Sequence, residues 1–94
     1  MSKCDAIKEY LSAVHPEAMM ADGLEEAAVG VMCRFNAAPV ALYDYGKCIN
    51  IFMKQGCTQQ EAQEHFAFNV IGAWVGEGTP AFMMTADELE EEGT

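Results

Sequence analysis

The chain has 94 residues, with 15 aspartates and glutamates against five lysines and arginines, for a formal net charge of −10. That length leaves room for one ordinary domain, and a hydrophobic share of 51% is too high for a chain disordered throughout. The charge excludes binding of nucleic acid through a basic surface, because phosphates are held by clustered Lys and Arg.

Residues 2–14 read as a first helix. Ser2 is a capping residue with Asp5 three positions on, and Cys4, Ile7, Tyr10, Leu11 and Val14 recur at spacings of three and four. The His15-Pro16 step ends it, because the residue before proline is pushed out of the helical region. Residues 15–26 form a connection with Met19, Met20 and the turn pair Asp22-Gly23. From Ala27 to Phe35 two patterns compete. Ala27, Val29, Val31, Cys33 and Phe35 alternate as in a strand, whereas Leu24, Ala28, Val31 and Phe35 fit a helix. Gly30 and the valines favour the strand. With the apolar run Val40–Tyr43 across the turn Asn36-Ala37-Ala38-Pro39, this predicts a β-hairpin.

Asp44 is the expected N-cap of a second helix, in which Tyr45, Cys48, Ile49 and Phe52 share one face. Gly56 is its C-terminal glycine. Thr58 and Glu61 form a capping box that starts a third helix, expected to run to about Trp74. A tight loop, Val75–Pro80, precedes a short third strand over Ala81–Met84. Thr85 with Glu88 caps a short helical turn in an otherwise solvated acidic tail. The expected architecture is α+β: a short antiparallel sheet packed by three helices, in one domain over 1–84 with a tail over 85–94. A mostly α-helical fold is the alternative, should residues 24–35 be helical. The start of the chain has no signal-peptide pattern, and no apolar run reaches the roughly 18 residues of a membrane span. The expectation is a cytoplasmic protein with reduced thiols.

Several motifs have both a chemical and a structural reading. The Gly76-Glu77-Gly78 loop follows a helix and lacks Lys, so it is expected to be a turn rather than a phosphate cradle. Cys57, Glu61 and His65 lie four apart on one stripe. They are an incomplete ligand set where structural zinc takes four, and no cofactor or metal is expected. Cys4, Cys33, Cys48 and Cys57 have no C-x-x-C pair and no basic partners facing them; they read as core residues. Tyr43, Asp44 and Tyr45 place an acid between two phenols, but capping is a sufficient job for Asp44. Asn69 is expected to tie the third helix to the loop at Glu77 and Thr79. The methionines read mainly as gap-fillers in the core. No nucleophile, base and oxyanion site come together, so no enzyme is expected.

The segments Tyr43-Asp44-Tyr45, Lys47-Cys48-Ile49, Glu61-Ala62 and Phe68–Pro80 carry a resemblance. Across roughly residues 22–84 the chain resembles a group of small proteins from bacteria and their phages with YDxxKC-like and FNVxGAxVGEGTP-like segments. The resemblance implies one compact domain and a phage or mobile-element setting, with no reaction. In size and acidity the chain is also similar to phage-encoded inhibitors of host defence, including anti-CRISPR proteins.

Two functional expectations result. In the first, acidic side chains compete with nucleic acid for a basic surface on host machinery such as a CRISPR effector. The candidate contacts are Glu17, Asp22, Glu25, Glu26, Glu61, Glu64, Asp87, Glu88 and Glu90. In the second, the chain is a homo-oligomeric accessory or structural protein, such as a homodimer, whose apolar excess lies in a subunit interface. Half of the net charge falls in residues 85–94, which hold five acids and no base.

Overall fold

Four local caps set the helix starts. A computed structural model describes residues 2–67 and 76–92, the last three of them by backbone alone. Helix α1 (Lys3–Val14) begins where Ser2 Oγ accepts from the Asp5 N–H at 3.1 Å. After a single 3-10 turn (Glu25–Ala27) come strands β1 (Ala28–Arg34) and β2 (Ala37–Asp44). Helix α2 (Tyr45–Lys54) starts at Asp44, whose Oδ1 accepts from the Lys47 N–H at 3.1 Å. Gly56, with a φ of 108°, turns the chain out of it. Helix α3 (Gln59–Phe66) opens on the capping box: Thr58 Oγ1 accepts from the Glu61 N–H at 3.1 Å and Glu61 Oε1 from the Thr58 N–H at 2.9 Å. Strand β3 (Ala81–Met83) leads to helix α4 (Ala86–Glu92), where Thr85 and Glu88 exchange the same pair of bonds, each 3.2 Å.

The fold is α+β, with a three-stranded sheet in the order β1-β2-β3. Residues 28–34 are therefore strand and not helix. Strands β1 and β2 are antiparallel, but β3 runs parallel to β2, with Leu42 opposite Ala81 and Asp44 opposite Met83. The wholly antiparallel sheet expected from sequence is thus corrected to a mixed one. The reason is the connection: α2 and α3 intervene between β2 and β3, and so long a crossover can bring the chain back in the same direction. The hairpin turn is also tighter than expected. Asn36 takes a φ of 58° and β2 begins at Ala37. Pro39 is accommodated within the strand because the register slips between Met32–Val40 and Arg34–Ala37. An irregularity of this kind is where a strand tolerates proline.

The core lies between one sheet face and the helices. Ala28, Ala41 and Tyr43 meet Cys4, Ile7 and Leu11 of α1, Cys48, Ile49 and Phe52 of α2, and Ala62 and Phe66 of α3. Aromatic rings join the layers: Phe66 meets Tyr45 at 4.9 Å and Phe82 at 5.0 Å edge-on, and Phe82 stacks on Tyr43 at 5.5 Å. Such pairs add about 0.5–1.5 kcal/mol beyond their burial. The apolar face of α1 is narrower than its sequence predicts, since Tyr10 and Val14 are about half exposed. The expected continuation of α3 to Trp74, and the expected tie through Asn69, lie outside the described residues. No described helix is long and apolar enough to cross a membrane.

Candidate interaction surface

The acids singled out from the sequence fall on separate elements. Glu17 and Asp22 are exposed on the connection after α1, Glu25 and Glu26 on the 3-10 turn, Glu61 and Glu64 on α3, and Asp87 on α4. Glu88 differs from these by being half-buried against α2. Glu90 lies on the α4 backbone, beyond the side chains described.

Two grooves flank the start of α2. One, of about 310 Å³, is lined by Glu25 and Glu26 together with Ser2, Lys3, Cys4, Ala28 and Lys47. The other, of about 520 Å³, has Asp44, Lys47, Asn50 and Met53 from β2 and α2, Gln59 and Gln63 from α3, and Glu88 from α4 among its walls. Lys47 borders both grooves. The fold thereby brings Glu25, Glu26 and Glu88 to one end of α2, and leaves Glu61 and Glu64 on the outer surface of α3.

Three of these acids have structural work. Glu61 closes the α3 cap, and the Thr58 N–H and hydroxyl hold its carboxyl below the usual glutamate range. The N–H groups of Glu25 itself and of Gly23, with the charge of Lys8, lower the Glu25 carboxyl despite slight desolvation. Glu88 caps α4 and meets Asp44, a residue the sequence reading assigned only to a cap. Burial raises the Asp44 carboxyl, but hydrogen bonds from Glu88 and from the Lys47 and Gly46 N–H groups, with the Lys47 charge, bring it below the usual aspartate range. Burial, the bond to Asp44 and the Asp44 charge raise Glu88 above its ordinary value.

The remaining motifs resolve structurally. Cys57 precedes α3, while His65 sits edge-on against Phe52 at 4.7 Å. Among the described residues no three His, Cys, Asp or Glu side chains are grouped to hold a metal. All four cysteines are free thiols. Cys4 and Cys48 are core residues as expected, Cys57 is half-buried, and Cys33 is exposed, which corrects its assignment to the core. It lies near the hairpin tip, past the last buried pair of the sheet. Burial, then Asp44 and Glu88, push the Cys48 thiol up to about 12, so it stays protonated. The glycine loop is a turn that anchors the connection after α1: the Met19 N–H donates to Gly78 O at 2.9 Å, and Thr79 Oγ1 donates to Gly76 O at 2.6 Å.

No protein-family model matches the chain, and no curated protein or solved structure matches it either.

Proposed function

We propose that this chain is a non-catalytic, acidic interaction protein of phage type. It occupies a basic surface on nucleic-acid-handling host machinery, such as a CRISPR effector, within the bacterial cytoplasm. The observation that carries this reading is the exposure of Glu26 and Glu64 on ordered elements. Carboxylates held on a folded scaffold compete with phosphates for Lys and Arg at lower entropic cost than a floppy tail. The chain itself then makes no contact with nucleic acid and none with a membrane.

The test is capture from host lysate on immobilised protein, comparing wild type with an E26K/E64K double variant. The expected partner is a nucleic-acid-binding protein that elutes between about 0.1 M and about 1 M salt, as the screening length falls from roughly 10 Å to roughly 3 Å. The double variant should fail to retain it. Retention that is indifferent to both salt and charge reversal would overturn the proposal.

A second reading is a homo-oligomeric accessory protein. It is favoured by Phe35 at the hairpin tip, which is 93% exposed. Sedimentation of a Phe35→Ser variant tests it: an assembly seen for wild type should dissociate, and a wild-type monomer at all concentrations rejects it.

A further inference from the structure

We infer that Asp44 and Glu88 form a proton-gated latch that holds helix α4 against the start of α2. The two carboxyls come from distant parts of the chain and converge on the first turn of α2, where a Cβ at Gly46 would meet both Glu88 Oε1 and, at 3.3 Å, Asp44 Oδ1. Both also face the N–H of Gly46, in the first turn of α2. A Cβ at Gly46 would stand 2.5 Å from Glu88 Oε1 and 2.8 Å from its Cδ, so a side chain there would push the Glu88 carboxyl aside. Asp44 is only 7% exposed. Its remaining bond, from the Lys47 N–H, fixes it in place as the cap. Glu88 is fixed from the other side by the Thr85 N–H.

Proton counting gives the latch its sensitivity. Two ionised carboxylates contain no donor, so a bond between them exists only while one proton is shared. Without it, two like charges face each other at contact distance. Among the described residues the side chains around the pair add no further carboxyl and no cation whose charge acts on Glu88, whose donors are the Thr85 and Gly46 N–H groups. From α2, Lys47 borders the groove and its charge acts on Asp44, while the Cys48 thiol behind the pair is neutral. From α3 the groove receives Gln59 and Gln63, which do not titrate. On α4 itself, Asp87 is exposed.

The direction follows from the two shifts. Glu88 is raised when docked, so it favours docking at low pH, and that contribution is lost as pH rises from its ordinary 4.5 through the docked value. Of the causes that lower Asp44, only the bond from Glu88 depends on docking, so that part is present above its ordinary 3.8 and is lost as pH falls, while the Lys47 and Gly46 N–H groups act whether or not α4 is docked. Docking is therefore strongest in mildly acidic solution. Above it, the docked-to-undocked ratio falls by up to about tenfold per pH unit across the Glu88 window. The latch stands whether or not the surface acids bind a partner.

The test is a backbone and methyl NMR titration of the full chain between about pH 4 and about pH 8, a range that starts below the ordinary value of Glu88 and covers the rise through its docked one. In wild type, the Gly46 and Thr85 amides and the Leu89 methyls should move together as α4 leaves, with loss of helical Cα shifts over 86–92. Glu88→Gln donates its amide to Asp44 without a titrating proton. Asp44→Asn remains a good cap and donates to Glu88. Both should hold α4 docked at the upper limit. A wild-type α4 whose shifts stay flat, or the same transition in either variant, overturns the latch.

Discussion

Tyr43 is buried completely in the core, and its hydroxyl Oη accepts from the Ala21 N–H at 2.8 Å. That bond ties the connection after α1 to the central strand across the interior. Tyr43→Phe keeps the ring, with its stacking on Phe82, and removes one atom. The half-buried Ala21 N–H is left without its acceptor, and orphaning such a donor costs about 1–3 kcal/mol. Burial raises the Tyr43 phenol, and the Ala21 bond lowers it only in part, so the hydroxyl is neutral at all ordinary pH and the cost is independent of pH. The measurement is urea unfolding followed by far-UV circular dichroism. With a slope of about 1 kcal/mol per M at the low end for small domains, the midpoint should fall by about 1–3 M. The slope itself should not change, because the surface exposed on unfolding is the same. Tyr10→Phe is the control: Tyr10 is 48% exposed and the midpoint should stay put. Equal midpoints for wild type and Tyr43→Phe would refute the reasoning, since they would mean that the Ala21 N–H finds water without cost.

Two further substitutions probe the same scaffold. A Cβ at Gly78 would lie 2.6 Å from Glu17 O and 3.2 Å from Ala18 Cα, both backbone atoms that cannot swing aside. Gly78→Ala should therefore cost about 1–3 kcal/mol, as overpacking does, and amide exchange should show the Met19 N–H losing protection. Thr58→Ala removes half of the α3 capping box and should cost about 0.5–2 kcal/mol in thermal unfolding, whereas Thr58→Ser should restore most of it.

What could be read in advance was local. Ser2, Asp44, Thr58 and Thr85 cap helices in the structure as their spacing suggests, because a cap is decided within three or four residues. The segment 27–35 carried both a strand and a helix pattern, Gly30 and the valines tipped it to strand, and pairing with β2 bears that out. The parallel entry of β3 was illegible for a different reason. Three residues carry too little pattern to signal a direction, and the direction depends on the path through α2 and α3. The Asp44–Glu88 contact joins residues from opposite ends of that path. Its one sequence trace was a glycine in the first turn of a helix, where glycine costs about 1 kcal/mol against alanine and so calls for a reason.

The net charge that dominates the composition is not what a partner would sense. The molecule measures 39 × 26 × 26 Å, and at physiological ionic strength the screening length is about 8 Å. Acids on opposite sides therefore act separately, and binding depends on whichever patch faces the partner. The structure sorts the candidates for that test. Reversing Glu61, Glu25 or Glu88 would break a cap, a turn or the contact with Asp44, so lost binding could not be told from lost structure. Glu26 and Glu64 belong to no cap and sit on different elements, the 3-10 turn and α3. Glu26→Lys and Glu64→Lys as single changes should each leave the melting temperature within a few degrees, as exposed substitutions do. If a patch is what the partner reads, one of the two should weaken binding far more than the other, although each shifts the net charge equally. Equal losses from both would instead mean that total charge governs association, which screening at this range forbids for a contact interface.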